Sequence, residues 1–198
     1  MAFDDLGREA SDQSQRTRDR WIGVYIGVLA VALAICAMGG GNAAKEANSK
    51  NIEATNIWGF FQAKNMRRHT LRLHVESLEL ELANDATLTE AARQAISAKI
   101  ADYRKIDAQL TSDPESNEGL DELFHRGKAL EAERDIAASR DPYFDYGEAL
   151  LQIAIVLAGV AIISGGSMLL VLSVIVGLGG LLMTVNGFTL FLALPFIG

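Results

Sequence analysis

The chain has 198 residues, a formal charge of −7 and 49% hydrophobic residues, figures that fit an acidic soluble domain as well as a membrane protein. Its single cysteine, Cys36, excludes an intrachain disulfide framework and a thiolate metal site. The distribution of charge excludes the soluble reading: residues 21–44 and 149–198 hold no Asp, Glu, Lys or Arg. An uncharged run of more than about 18 residues is long enough to cross a hydrocarbon core of about 30 Å as a helix.

Residues 1–20 form a polar segment of mixed charge, and residues 21–41, WIGVYIGVLAVALAICAMGGG, read as the first transmembrane helix. The apolar stretch is longer than a signal-peptide core and its leader is long and mixed in charge, so it is expected to be retained as a span. Arg16, Arg18 and Arg20 precede it closely, which places the N-terminus in the cytoplasm and the central region outside it. Trp21 and Tyr25 suit one membrane interface, and Tyr143, Phe144 and Tyr146 the other. Gly23 and Gly27 form a GxxxG match that permits close helix packing.

Residues 42–142 are expected to form an extramembrane region of coiled-coil-like helices. Proline is absent from its first part until Pro114, so one helix over 43–83 is allowed, rising roughly 60 Å at about 1.5 Å per residue. Ile57, Phe61, Lys64, Arg68, Leu71, Val75, Leu78 and Leu82 alternate four and three apart, the seam of a helix with two basic interruptions. Ile52, Met66, Leu73 and Leu80 keep a seven-residue interval on nearly the opposite side, broken at Gly59. A helix apolar on two opposed faces needs two partners. Trp58, Phe60 and Phe61 then read as packing residues at the broad end of the seam. At about 25 Å beyond the first span, Trp58 is too far out to anchor at the interface.

Thr87 and Glu90 match a capping box that would start a second helix over 88–110. TSDPESNEG breaks that helix, and a third is expected over 120–139, with Asp141 and Pro142 as the cap and first residue of the second span. The second span is placed at 143–164 and the third at 168–194, joined by the Ser164-Gly165-Gly166-Ser167 turn. The favoured form of the central region is a helical hairpin with one broken limb, its second apolar stripe left for another subunit. A compact three-helix bundle, in which the third helix covers that stripe, is the rival.

The candidate sites are few. His69 and His74 are five apart, not the four of a zinc helix, and read as solvated surface histidines. The acidic stretch 113–124 lacks the glycine and closing carboxylate of a calcium loop. Lys64, Arg67, Arg68 and Arg72 are expected to pair with acids such as Glu131, Glu133 or Asp135 rather than with phosphate or anionic lipid, and nothing supports nucleic-acid binding. Gln152 and Asn186 are the notable polar groups of the last two spans. They are expected to hydrogen-bond between helices, or alternatively to line a pore whose wall includes the last span. Ser173 with Gly177, and Gly180 with Thr184, continue the small-residue spacing there. No catalytic motif, phosphate loop or dinucleotide fingerprint appears, so no enzyme activity and no cofactor are expected.

The stretch NIWGFFQAKNMRRHT, residues 56–70, lies after one span and well ahead of a terminal two-span pair. In this layout it resembles the bacterial membrane proteins catalogued as domain of unknown function 4337, in which a W-x-x-[FY]-Q-A-K-like segment follows the first span. The resemblance implies a bacterial inner-membrane protein with three spans, which makes the central region periplasmic, and it carries over no functional residues. The expectation is therefore an all-α membrane protein with three transmembrane helices and a helical-hairpin projection between the first and second. Its expected partners are lipid and further copies of itself, within a larger membrane complex, and its role is that of a scaffold or accessory subunit.

Overall fold

The computed structural model describes residues 2–192, with the side chains of residue 13 and of residues 15–192. All regular structure among these residues is helical: α1 (Ala2–Asn84), α2 (Glu90–Thr111), α3 (Leu120–Ser164) and α4 (Ser167–Thr189). Three of them, α1, α3 and α4, are long and apolar enough to cross a membrane. The chain packs as two compact units, one from Met1–Ala47 and Asp135–Gly198, the other from Asn48–Arg134.

Helices run on through two places where glycine or proline disfavours them, and at the second the sequence predicts a new start. Gly39, Gly40 and Gly41 do not interrupt α1, and Pro142 lies inside α3 rather than at the start of a new helix. Ending a helix leaves four backbone amides and four carbonyls without partners, which is costly beside hydrocarbon. A glycine in a helix costs only about 1 kcal/mol, and a proline removes one hydrogen bond at about 3 kcal/mol. Continuity is the cheaper solution at both places. The polar segment 1–20 is helical from Ala2 onward, and the last helix stops at Thr189, short of the expected residue 194, which lies outside the described residues.

In the first unit, α1 buries Ile22, Leu29, Cys36 and Ala43, and α3 buries Phe144, Leu151, Ala154, Ala158 and Ala161. Leu29, Cys36, Ala43, Phe144, Leu151 and Ala154 make one cluster, with Tyr25, Ala32, Leu33, Ile155 and Val176 packed on it. Both helices therefore present residues seven apart, the interval of coiled-coil packing. Three polar contacts tie α1, α3 and α4 together: Ser173 Oγ donates to the Ala154 carbonyl at 2.6 Å, Tyr25 Oη to the Ser173 carbonyl at 3.1 Å, and Cys36 Sγ to the Phe144 carbonyl at 3.3 Å. The turn between α3 and α4 is where expected, with Gly165 at φ +69°, a conformation that suits glycine, and its carbonyl accepts from Arg18 at 2.9 Å.

In the second unit the cross-helix pairs run in opposite senses along the chain. Arg93 reaches the carbonyls of Leu82 and Asp85; Arg72 pairs with Asp107 through two bonds of 2.9 and 3.0 Å; Lys64 meets Glu118; and Lys50 meets Glu133 at 2.7 Å. The N-cap of α2 is Thr89, whose hydroxyl accepts from the Ala92 amide, and not Thr87. Thr87 is already held by Asp85, which accepts from both its amide and its hydroxyl, so the capping box with Glu90 does not form.

Hydroxyls and amides hold three carboxylates of this unit below their usual range: Thr87 at Asp85, Ser116 at Asp113, and Ser112 at Glu122. Lys128 and then the Trp58 indole do the same for Glu131. Because each group titrates lower when folded, its contribution is complete above the ordinary carboxylate pKa near 4 and is lost as pH falls through the depressed values. The contact of Glu131 with Trp58 is therefore expected to weaken as pH falls below the ordinary carboxylate range, read as Trp58 fluorescence in a Trp21→Phe background. Emission unchanged over that fall would contradict this contact.

Candidate self-association surface

Two faces of α1 in the second unit have different fates. Along the seam, Ile57, Phe61, Leu71, Val75, Leu78 and Leu82 are half-buried, as are Lys64 and Arg68. Within the same unit α2 buries Ile100 and Leu110, and α3 buries Leu120, Leu123 and Leu130. On the other face Ile52, Met66, Leu73 and Leu80 remain between 53% and 68% exposed. The third helix does not cover them, as the bundle alternative requires. The interval of seven residues is kept from Ile52 to Leu80, and an ideal helix turns by only about 20° per such step, so the four side chains lie in one slowly winding stripe.

Trp58 stands edge-on to Phe61 at 5.6 Å and to Phe124 at 5.8 Å, its Nε1 donates to Glu131 at 2.9 Å, and Lys128 lies 5.7 Å from its ring centre. A Cβ at Gly127 would meet the Trp58 ring at 2.9 Å, so α3 approaches through that glycine. Phe60 flanks the seam, 43% exposed, with the Lys64 ammonium 5.2 Å from its ring centre.

Two members of the basic cluster pair with acids, though not with those named from the sequence. Arg72 takes Asp107 and Lys64 takes Glu118, while Arg68 donates to Thr111 and Asn65. Glu131 and Glu133 sit instead at the level of Trp58 and Lys50. The descent of α2 and the turn after it bring Asp107 and Glu118 alongside the cluster first. A groove of about 390 Å³ runs along α1 beside these groups, lined by Gln62, Asn65, Met66, Arg68, His69 and Arg72. His69 and His74 are both exposed, and His74 lies 6.4 Å from the Tyr103 ring.

In the first unit the small residues behave differently from one another. A Cβ at Gly177 would meet Tyr25 Oη at 3.0 Å and Leu29 at 3.3 Å, and one at Gly180 would meet Leu151 Cγ at 2.8 Å. Gly23 and Gly27 meet nothing within 4 Å, so the GxxxG match does not join α1 to the other helices of its own chain. Gln152 and Asn186 do not bond to each other. Gln152 is exposed and donates to Glu148 at 3.0 Å. Asn186 is buried and closes the end of α4: its side chain donates to the Leu192 carbonyl and accepts from the Leu192 amide, both at 2.9 Å. Leu190, at φ +50°, directs its amide to the Asn186 carbonyl, and Tyr143 also donates to Leu192. With one bond donated and one accepted, the Asn186 amide acts as a C-terminal cap of α4.

Sequence reading missed Glu148, which borders the last uncharged run and pairs with Gln152 four residues later. The four-residue spacing of the two was the available signal. It also missed the pair of Glu46 and Arg140, 3.7 Å apart, whose contact depends on where α1 and α3 meet.

No curated protein and no solved structure matches the chain. One family model does, over residues 18–190, which spans α1 from Arg18, the whole of α2 and α3, and α4. The chain belongs to that family, described as Domain of unknown function (DUF4337).

Proposed function

We propose that this is a non-enzymatic, multi-pass protein of the bacterial inner membrane whose helical-hairpin projection associates with further copies of itself, as a scaffold or accessory surface of a larger membrane complex. The open stripe of Ile52, Met66, Leu73 and Leu80 carries the reading. Four large apolar side chains at coiled-coil spacing lose hydrophobic stabilisation in water, and a second helix of the same pattern restores it. The arginines at 16, 18 and 20 favour a cytoplasmic N-terminus and a periplasmic projection. Lipid is the other partner, and no nucleic acid is involved.

The mass of the detergent-solubilised particle tests this. Several copies of the chain are expected, and a particle of one copy with no companion protein would overturn the proposal. The pore reading, with the last span in the wall, makes a different prediction for Asn186→Leu. As a cap, Asn186 is expected to cost about 1–3 kcal/mol of stability on replacement, because the Leu192 amide and carbonyl lose their partners. That cost should appear as a lowered unfolding midpoint. Altered conductance in bilayers with an unchanged midpoint would instead favour a pore.

A further inference from the structure

Glu148 and Gln152 stand on the outward side of α3, at a depth where the surrounding surface is aliphatic. Counting up α3 from the Gly165 turn at about 1.5 Å per residue, Gln152 lies about 20 Å and Glu148 about 25 Å from that turn. Gln152 therefore falls inside a hydrocarbon core of about 30 Å, about two turns below the interface at Tyr146, and Glu148 lies at the edge of that core. The turn is polar and is held by Arg18, which fits a position at the membrane surface. The outward side chains of the neighbouring helices include Val28 and Val31 on α1 and Ile175, Leu178 and Leu182 on α4, all exposed and none able to hydrogen-bond.

The bond from Gln152 Nε2 to Glu148 Oε1 satisfies one amide hydrogen and one oxygen. It leaves the second amide hydrogen and the carbonyl of Gln152 facing outward, and a polar group left unpaired in hydrocarbon is unfavourable. Polar side chains at such depth face other helices or water, not lipid tails. The neighbours on this face permit approach: Ala149 is small and exposed, and above Gly159 a Cβ would meet nothing within 4 Å. The two free groups of Gln152, one donor and one acceptor, are complementary to the same two groups on another copy across a twofold axis normal to the membrane.

Given the membrane placement and self-association above, we propose that the outward face of α3 at Ala149, Gln152 and Val156 packs against the same face of a second copy, with the two Gln152 amides hydrogen-bonded to each other. This contact is separate from the stripe at Ile52–Leu80.

Single cysteines placed at Ala149, Gln152 or Val156 in the full chain, in membranes, test it by copper-phenanthroline oxidation. The native Cys36 is fully buried and serves as the silent background. Disulfide dimers are expected at these three positions at least about tenfold above Val31→Cys and Ile175→Cys, since interfaces between spans bring outward helix faces together. Yields no higher than at those two positions would overturn the proposal, whatever the particle mass. In a Leu73→Glu background, Gln152→Leu should reduce the remaining dimer severalfold, whereas Gln152→Asn should retain most of it. Equal loss, or no loss, with both variants would remove the amide pair. If the three α3 positions cross-link while Leu73→Glu leaves the particle mass unchanged, the α1 stripe fails and this contact stands. Several copies without cross-linking at α3 give the converse.

Discussion

Leu73→Glu is expected to reduce the particle's copy number while leaving its helix content unchanged. Leu73 is 53% exposed in the single chain, so the substitution disturbs no contact within it. In an assembly joined through this stripe, the same change removes about 1.5–3 kcal/mol of apolar burial per copy and forces a carboxylate to be desolvated. Two copies meeting across one seam would lose at least about 100-fold in affinity, since about 1.4 kcal/mol corresponds to a factor of ten. Leu78→Glu is the informative contrast. Leu78 is half-buried on the seam, so its replacement should lower the stability of the second unit itself and show as lost helicity. An unchanged particle mass for Leu73→Glu, with Leu80→Glu added to make the disruption larger, would show that the stripe does not join copies.

Gly180→Val should be the most damaging single change in the first unit. A Cβ there meets Leu151 Cγ at 2.8 Å, and the Gly147 carbonyl and Leu151 amide at 3.1 Å. Two of those three atoms are backbone, so no rotamer change relieves the clash, and α3 and α4 must separate. Overpacking a well-filled core costs typically about 1–3 kcal/mol, and contact with backbone puts this case at or above the upper figure. Gly27→Ala, where the added Cβ meets nothing within 4 Å, should not destabilise and should gain up to about 1 kcal/mol, the cost of a glycine inside a helix. Unfolding midpoints in the same detergent check both. Equal midpoints for the two variants would mean that α3 and α4 are not in this close contact.

The sequence by itself determined the class of the molecule and the faces of its central helix. Uncharged runs at 21–44 and 149–198 required membrane-length helices, because hydrocarbon tolerates few charges. The turn at Ser164–Ser167 was legible for a local reason, the conformational freedom of its two glycines. The stripe of Ile52, Met66, Leu73 and Leu80 was legible because polar residues surround it, so its seven-residue interval stands out.

Inside the spans that contrast vanishes. Ile22, Leu29, Cys36 and Ala43 keep the same interval, yet nearly every neighbour is apolar too, and only packing shows which face is buried. Tertiary structure likewise decided the continuity of α1 and α3, where the shared cost of unpaired backbone groups overrode the local preferences of Gly39–Gly41 and Pro142. It also decided the choice of ion partners, since Asp107 and Glu118 reach the basic cluster only because of how α2 returns along α1. The roles of Gln152 and Asn186 separated for the same reason. Two polar residues that look equivalent in an apolar run differ in surroundings: one caps a helix end, and the other faces outward beside Glu148.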